Sequence, residues 1–163
     1  MAVGKIYAKS ETGCCPKFDP KPWDGKLVKW KGKLFLKDRV ASFFHIPLNF
    51  GKVMTRNMAA IAAAGAIAKT PLLLCDESSL WGSDLFIAVG KPVPGKSMEK
   101  ISGTFLTKVF SGSFGEMGKW IKEMNQFVKS KGRQCKTLYF WYTLCPKCAK
   151  HYGQNYVVLV ARV

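Results

Sequence analysis

Two kinds of hydrophobic spacing alternate along this chain. Period-two and short continuous apolar runs mark strands, whereas apolar residues three and four apart mark helices. From Leu27 to Pro47 the segments KLVKW and LFLKDRVASFFHI, broken at Lys31-Gly32, predict a pair of strands or one bulged strand, with Lys37, Asp38 and Arg39 on a solvated edge. Met54 to Ala68 predicts a helix: Thr55 is the candidate N-cap, the interior is rich in Ala, and Pro71 stops it. Leu72 to Cys75 and Leu85 to Val89, separated by DESSLWGSD, predict a hairpin.

After a turn at Pro92 to Gly95 the order starts again. Ser102 to Phe110 reads as a strand, and Glu116 to Lys131 as a helix with Met117, Trp120, Ile121, Met124, Phe127 and Val128 at helical spacing, ended by Gly132. Leu138 to Val163 reads as two antiparallel strands joined by the loop CPKCAKHYGQN. The order is strand-helix-strand-strand, twice, after an arm at residues 1–26. It predicts an α+β fold in which residues 27–163 form one domain of two modules, about 27–95 and 96–163. In that fold an antiparallel sheet carries two main helices.

Composition narrows the class. A chain of 163 residues with 48% hydrophobic and 22% charged side chains buries a real core and is not disordered. The N-terminal stretch has no continuous apolar core of a signal peptide, and the longest apolar run, Met58 to Ala68, is short of the ~20 residues a membrane span needs. A cytoplasmic protein is expected. The formal net charge of +16 attracts nucleic acid, anionic surfaces or acidic small molecules, or simply keeps the protein soluble. Four of the 26 cations are arginine, which argues against sequence-specific reading of DNA bases. A basic, zinc-stabilised nucleic-acid binder stays as an alternative function.

The cysteines carry the first candidate chemistry. Cys145 and Cys148 form a CxxC, and Cys14-Cys15 lies on a backbone kinked by Gly13 and Pro16. Together the four thiols suit a closed tetrahedral zinc site that staples the arm to the last hairpin. His151 is a substitute ligand. Reactive or redox-sensing thiols and incidental cysteines are the competing readings. Cys75 and Cys135, each alone in its segment, read as small core residues.

Three of ten acids, Asp76, Glu77 and Asp84, fall within nine residues. Beside Trp81, Glu77 is placed to act as a general base toward water or to pair with a cationic ligand. The alternative is a polar loop whose carboxylates pair with lysines. In LYFWY, alternation puts Tyr139 and Trp141 on one face and Tyr142 on the other, so only one set can face a ligand. Tyr142 offers a hydroxyl for orienting a ligand or donating a proton, while Trp141 suits either a ligand contact or the core.

The duplicated order, with TFLTKVFSGSFGEMGKWIKEM followed by LYFWY, resembles the GyrI-like small-molecule-binding superfamily. Val109 to Trp120 matches its strand, Gly, aromatic and helix segment through Gly112 and Phe114. The GCC and CPKCAK cysteines are similar to those of a branch sometimes labelled hydrolase. The resemblance implies a groove between two pseudo-symmetric modules, lined by aromatic residues and an acid, that binds or hydrolyses a small organic molecule, often apolar. Binding relatives often place a Glu in the strand equivalent to LYFWY; this chain has none there, which turns attention to Glu77. The candidate catalytic set is Glu77, Tyr142 and His45, the last also suited to a structural role. Trp81, Trp141 and Phe44 are the candidate ligand contacts. A ligand sensor or sequestering protein without catalysis is the nearest alternative.

Overall fold

The computed structural model describes residues 18–43, 46–47, 49–70, 72–77, 81–143, 150–153 and 155–163. One strand decides its architecture. β1 (Lys26–Phe43) runs for 18 residues, bends at a bulge between Trp30 and Lys33 where Gly32 takes φ 61°, and pairs with two other strands. Behind it follow β2 (Ile46–Pro47), α1 (Phe50–Ala63), β3 (Leu73–Asp76), β4 (Gly82–Ala88) and β5 (Ser97–Ser111). A single 3-10 turn then leads into α2 (Met117–Ser130), β6 (Thr137–Tyr142) and β7 (Tyr156–Arg162).

The sheet order β1-β4-β3-β6-β7-β5 returns to β1, so six antiparallel strands close into a barrel, with β2 appended to the end of β1. This overturns the α+β sheet expected from the sequence. The reason is length: β1 and β5 extend beyond the apolar runs that mark them and pair from Lys26↔Thr107 to Lys37↔Ser97, which joins the two outer strands of the sheet. Lys37, Asp38 and Arg39 accordingly lie in the closed wall between β4 and β5 rather than on an edge.

Alternation then fills both faces of the wall. Phe35, Leu74, Phe86, Phe105, Tyr139, Trp141, Val158 and Val160 form one buried cluster that contains no helical residue, and this is the barrel interior. Phe18, Trp23 and Trp30 pack on it; Trp23 meets Trp141 edge-on at 5.0 Å, and the Thr107 hydroxyl donates to the Trp23 carbonyl. The opposite face, with Leu36, Val40, Cys75, Leu85, Phe140 and Leu159, is covered by Val53 and Ile61 of α1 and by Trp120, Met124 and Val128 of α2. Each of these helical sets repeats every four residues, the spacing that keeps one stripe against the wall.

Both helices end in the same motif. Gly65 and Gly132 take positive φ, their N–H groups donate to Ala62 and Lys129, and the next residues, Ala66 and Arg133, donate to Ile61 and Val128. α1 therefore starts and stops earlier than the Ala-rich run predicts. Thr55 lies inside it and returns its hydroxyl to the Gly51 carbonyl at 2.8 Å instead of capping the end. Among the described residues, no helix is long and apolar enough to cross a membrane.

Candidate active site

The barrel has two places where its sequence halves meet. Along β1 and β5 the register runs to ten Cα pairs; between β3 and β6 it consists of the single pair Cys75↔Phe140. On antiparallel strands, positions two residues beyond such a pair flank it symmetrically and share its face. Those positions are Glu77 and Tyr142. Period two therefore puts both on the helix-covered side of the wall with Cys75 and Phe140.

Across this seam the Tyr142 hydroxyl donates to Glu77 Oε1 at 2.7 Å. Burial pushes the Tyr142 phenol far above its ordinary value; the Glu77 charge, the hydrogen bond to that carboxylate and the nearby Cys75 thiol push it further. Cys75 is 2% exposed, and burial followed by the Glu77 charge raises its thiol strongly as well. The phenol and the thiol both stay protonated across the working pH range. The charge of the trio belongs to Glu77.

Beyond Cys75↔Phe140 the strands part, and a cleft of about 420 Å³ opens, lined by Asp76, Glu77, Lys136, Thr137, Leu138 and Phe140. Leu138 and Phe140 supply apolar contact, Lys136 a cation and Glu77 the carboxylate. This is the composition of a small-molecule site, with few polar groups on an apolar surface. Sequence reasoning passed over Lys136, Thr137, Leu138 and Phe140. Alternation from Tyr142 would have placed Leu138 and Phe140 on its face.

The other sequence candidates scatter. Trp141 is 6% exposed and points into the barrel interior, across the wall from Tyr142. Trp81 is 58% exposed just before β4, where its carbonyl accepts from Ser42 N. Asp84 is held by Arg39 at 3.1 Å rather than by a lysine. His45, Phe44 and the proposed zinc ligands Cys14, Cys15, Cys145 and Cys148 lie outside the described residues. His151, the substitute ligand, stands edge-on to Tyr152 at 5.1 Å.

Barrel, seam and carboxylate-phenol pair define a small β-barrel protein with a cleft suited to acid-base chemistry. A family model described as "Bacterial hydrolase" matches residues 6–163, so the chain belongs to the bacterial hydrolase family. The crystal structure of a hydrolase from Listeria innocua is similar at TM-score 0.59 and 12% identity, covering 85% of this chain and 91% of that one, a likeness of fold. No curated protein matches the chain. Neither the family model nor the Listeria structure names the GyrI-like superfamily.

Proposed function

We propose that the chain hydrolyses a small organic molecule bound in the β3–β6 cleft, with Glu77 as general base. The observation that carries this reading is the 2.7 Å hydrogen bond from Tyr142 to Glu77 Oε1 at the cleft wall. A neutral phenol fixed to a carboxylate orients it, and a carboxylate beside apolar surface is a stronger base than one in water. Glu77 takes a proton from water as the water oxygen bonds to the electrophilic carbon. That proton then passes to the leaving group, directly or through the Tyr142 hydroxyl, and the base is restored. Leu138 and Phe140 hold the apolar part of the substrate, and Trp81 adds an aromatic surface at the rim.

Membership of a hydrolase family supports turnover over mere binding. The test is a panel of small esters, lactones and epoxides assayed by product formation with the intact chain and with Glu77→Gln. Turnover in the parent, lost in Glu77→Gln while ligand affinity is kept, is the expected result. Undiminished turnover in that variant removes Glu77 from the mechanism. Binding without any product from the parent chain marks a sequestering or sensing protein instead.

A further inference from the structure

A second cleft, of about 450 Å³, lies beside the first and is lined by Asn125, Val128, Lys129, Arg133, Gln134 and Cys135. The two are neighbours through the chain itself. Gln134 and Cys135 line one, Lys136 and Thr137 line the other, and consecutive Cα atoms are about 3.8 Å apart. Their charges differ in kind. The Glu77 cleft holds two carboxylates and one lysine, whereas the described residues lining the second include two cations, two side-chain amides and no acid.

The second cleft is also built to keep its cations in place. It sits at the C-terminal end of α2, where backbone carbonyls would ordinarily repel an anion. Here those carbonyls are occupied: Phe127 accepts from the Ser130 hydroxyl, Lys129 from Gly132 N, and Val128 from both Lys131 N and Arg133 N. The bond from Arg133 N fixes the point from which that guanidinium leaves the backbone. Val128 and Cys135 give the cleft an apolar floor, and burial raises the Cys135 thiol, so it stays neutral.

We infer that this cleft is the anion-binding subsite of the substrate cleft. It takes the carboxylate, sulfonate or phosphate group of a substrate whose labile bond lies over Glu77. The inference rests on the hydrolase reading for the second half of that statement only. Arg133 and Lys129 hold the anion, with Asn125 and Gln134 as amide donors, and Lys136 stands at the junction of the two clefts. The carboxylates at one end and the cations at the other set the direction in which such a molecule lies. The excess of 16 positive charges raises the local concentration of anions around the chain.

The probe pair is 8-anilinonaphthalene-1-sulfonate and its uncharged counterpart N-phenyl-1-naphthylamine, titrated by fluorescence against the full chain. The sulfonate should bind at least tenfold more tightly. The double variant Lys129→Gln/Arg133→Gln should remove that preference and leave the neutral probe unchanged, while Lys29→Gln/Lys31→Gln, remote on β1, should leave both unchanged. Equal affinity for the two probes, or an equal loss in the β1 variant, overturns the subsite. Circular dichroism of each variant guards against loss of fold. The Glu77→Gln chain should keep the sulfonate preference, so failure of the catalytic reading and failure of the subsite give different results.

Discussion

The Tyr142 hydroxyl and Glu77 Oε1 meet at 2.7 Å from symmetric starting points, each two residues past the Cys75↔Phe140 pair on opposite strands. One residue comes from each half of the sequence, so neither half holds the pair alone. The arrangement gives a base and its orienting group one shared geometry.

Removing either member should therefore cost much of what removing both costs. Glu77→Gln should lower kcat/KM by about 10²–10⁴-fold, and Tyr142→Phe by about 10–10²-fold. The double variant should fall well short of the product of the two losses, because the phenol acts through the carboxylate. Steady-state kinetics on any substrate found in the panel measures this.

Alkaline stability carries the signature of the same trio. Tyr142 and Cys75 have raised values in the folded chain and ordinary values of 10.0 and 9.0 when unfolded. Above those ordinary values the unfolded chain releases protons that the native chain keeps, so stability is complete below about pH 9 and falls as pH rises. Each group contributes a slope of up to about 1.4 kcal/mol per pH unit. Urea titrations between pH 8 and 11 should show the fall, and Tyr142→Phe and Cys75→Ala should each flatten it.

Asp38 governs the acid side. Desolvation pushes its carboxyl up, but hydrogen bonds from Asn57 at 2.8 Å, from Arg56 and from Arg39 N, with the Arg56 charge, hold it below its ordinary value of 3.8. The stability it provides is present above the unfolded value and is lost as pH falls through the folded one. Asp38→Asn should destabilise the chain at pH 7 by about 1–3 kcal/mol, since Asn57 is fully buried and loses a charged partner. The same variant should show a shallower loss of stability between pH 4 and 2.

At the barrel end, Trp23 covers Trp141. Trp23→Ala should cost roughly 2 kcal/mol, less than a fully buried tryptophan because the side chain is half-exposed. Tryptophan fluorescence should shift to longer wavelength as Trp141 meets water. An unchanged spectrum would show that Trp23 is not the plug.

Local pattern revealed the pieces better than their closure. The period-two run at Leu138 to Tyr142 separates Tyr142 from Tyr139 and Trp141, and the structure puts them on opposite faces of the wall. The apolar spacing of the second helix and its Gly132 stop are likewise local, and α2 ends there. Barrel closure depends on pairing between Lys26–Lys37 and Ser97–Thr107, some 70 residues apart, in segments whose lysines and glycines hide their strand character. Thr55 illustrates the same limit on a smaller scale. Its hydroxyl is as able to bond back to Gly51 as to cap, and the helix start at Phe50 decides which. The pairing of Glu77 with Tyr142 follows from the β3–β6 register and has no sequence signal beyond the acid cluster.

A wall joined by ten rungs along β1–β5 and by one along β3–β6 does not loosen evenly. Local opening follows the path that breaks the fewest hydrogen bonds. The long junction thus serves as a hinge and the short one as a mouth, and Glu77 sits on the lip. A substrate too large for the resting cleft enters by parting one pair of residues, and the carboxylate and phenol separate and re-form their contact with each passage.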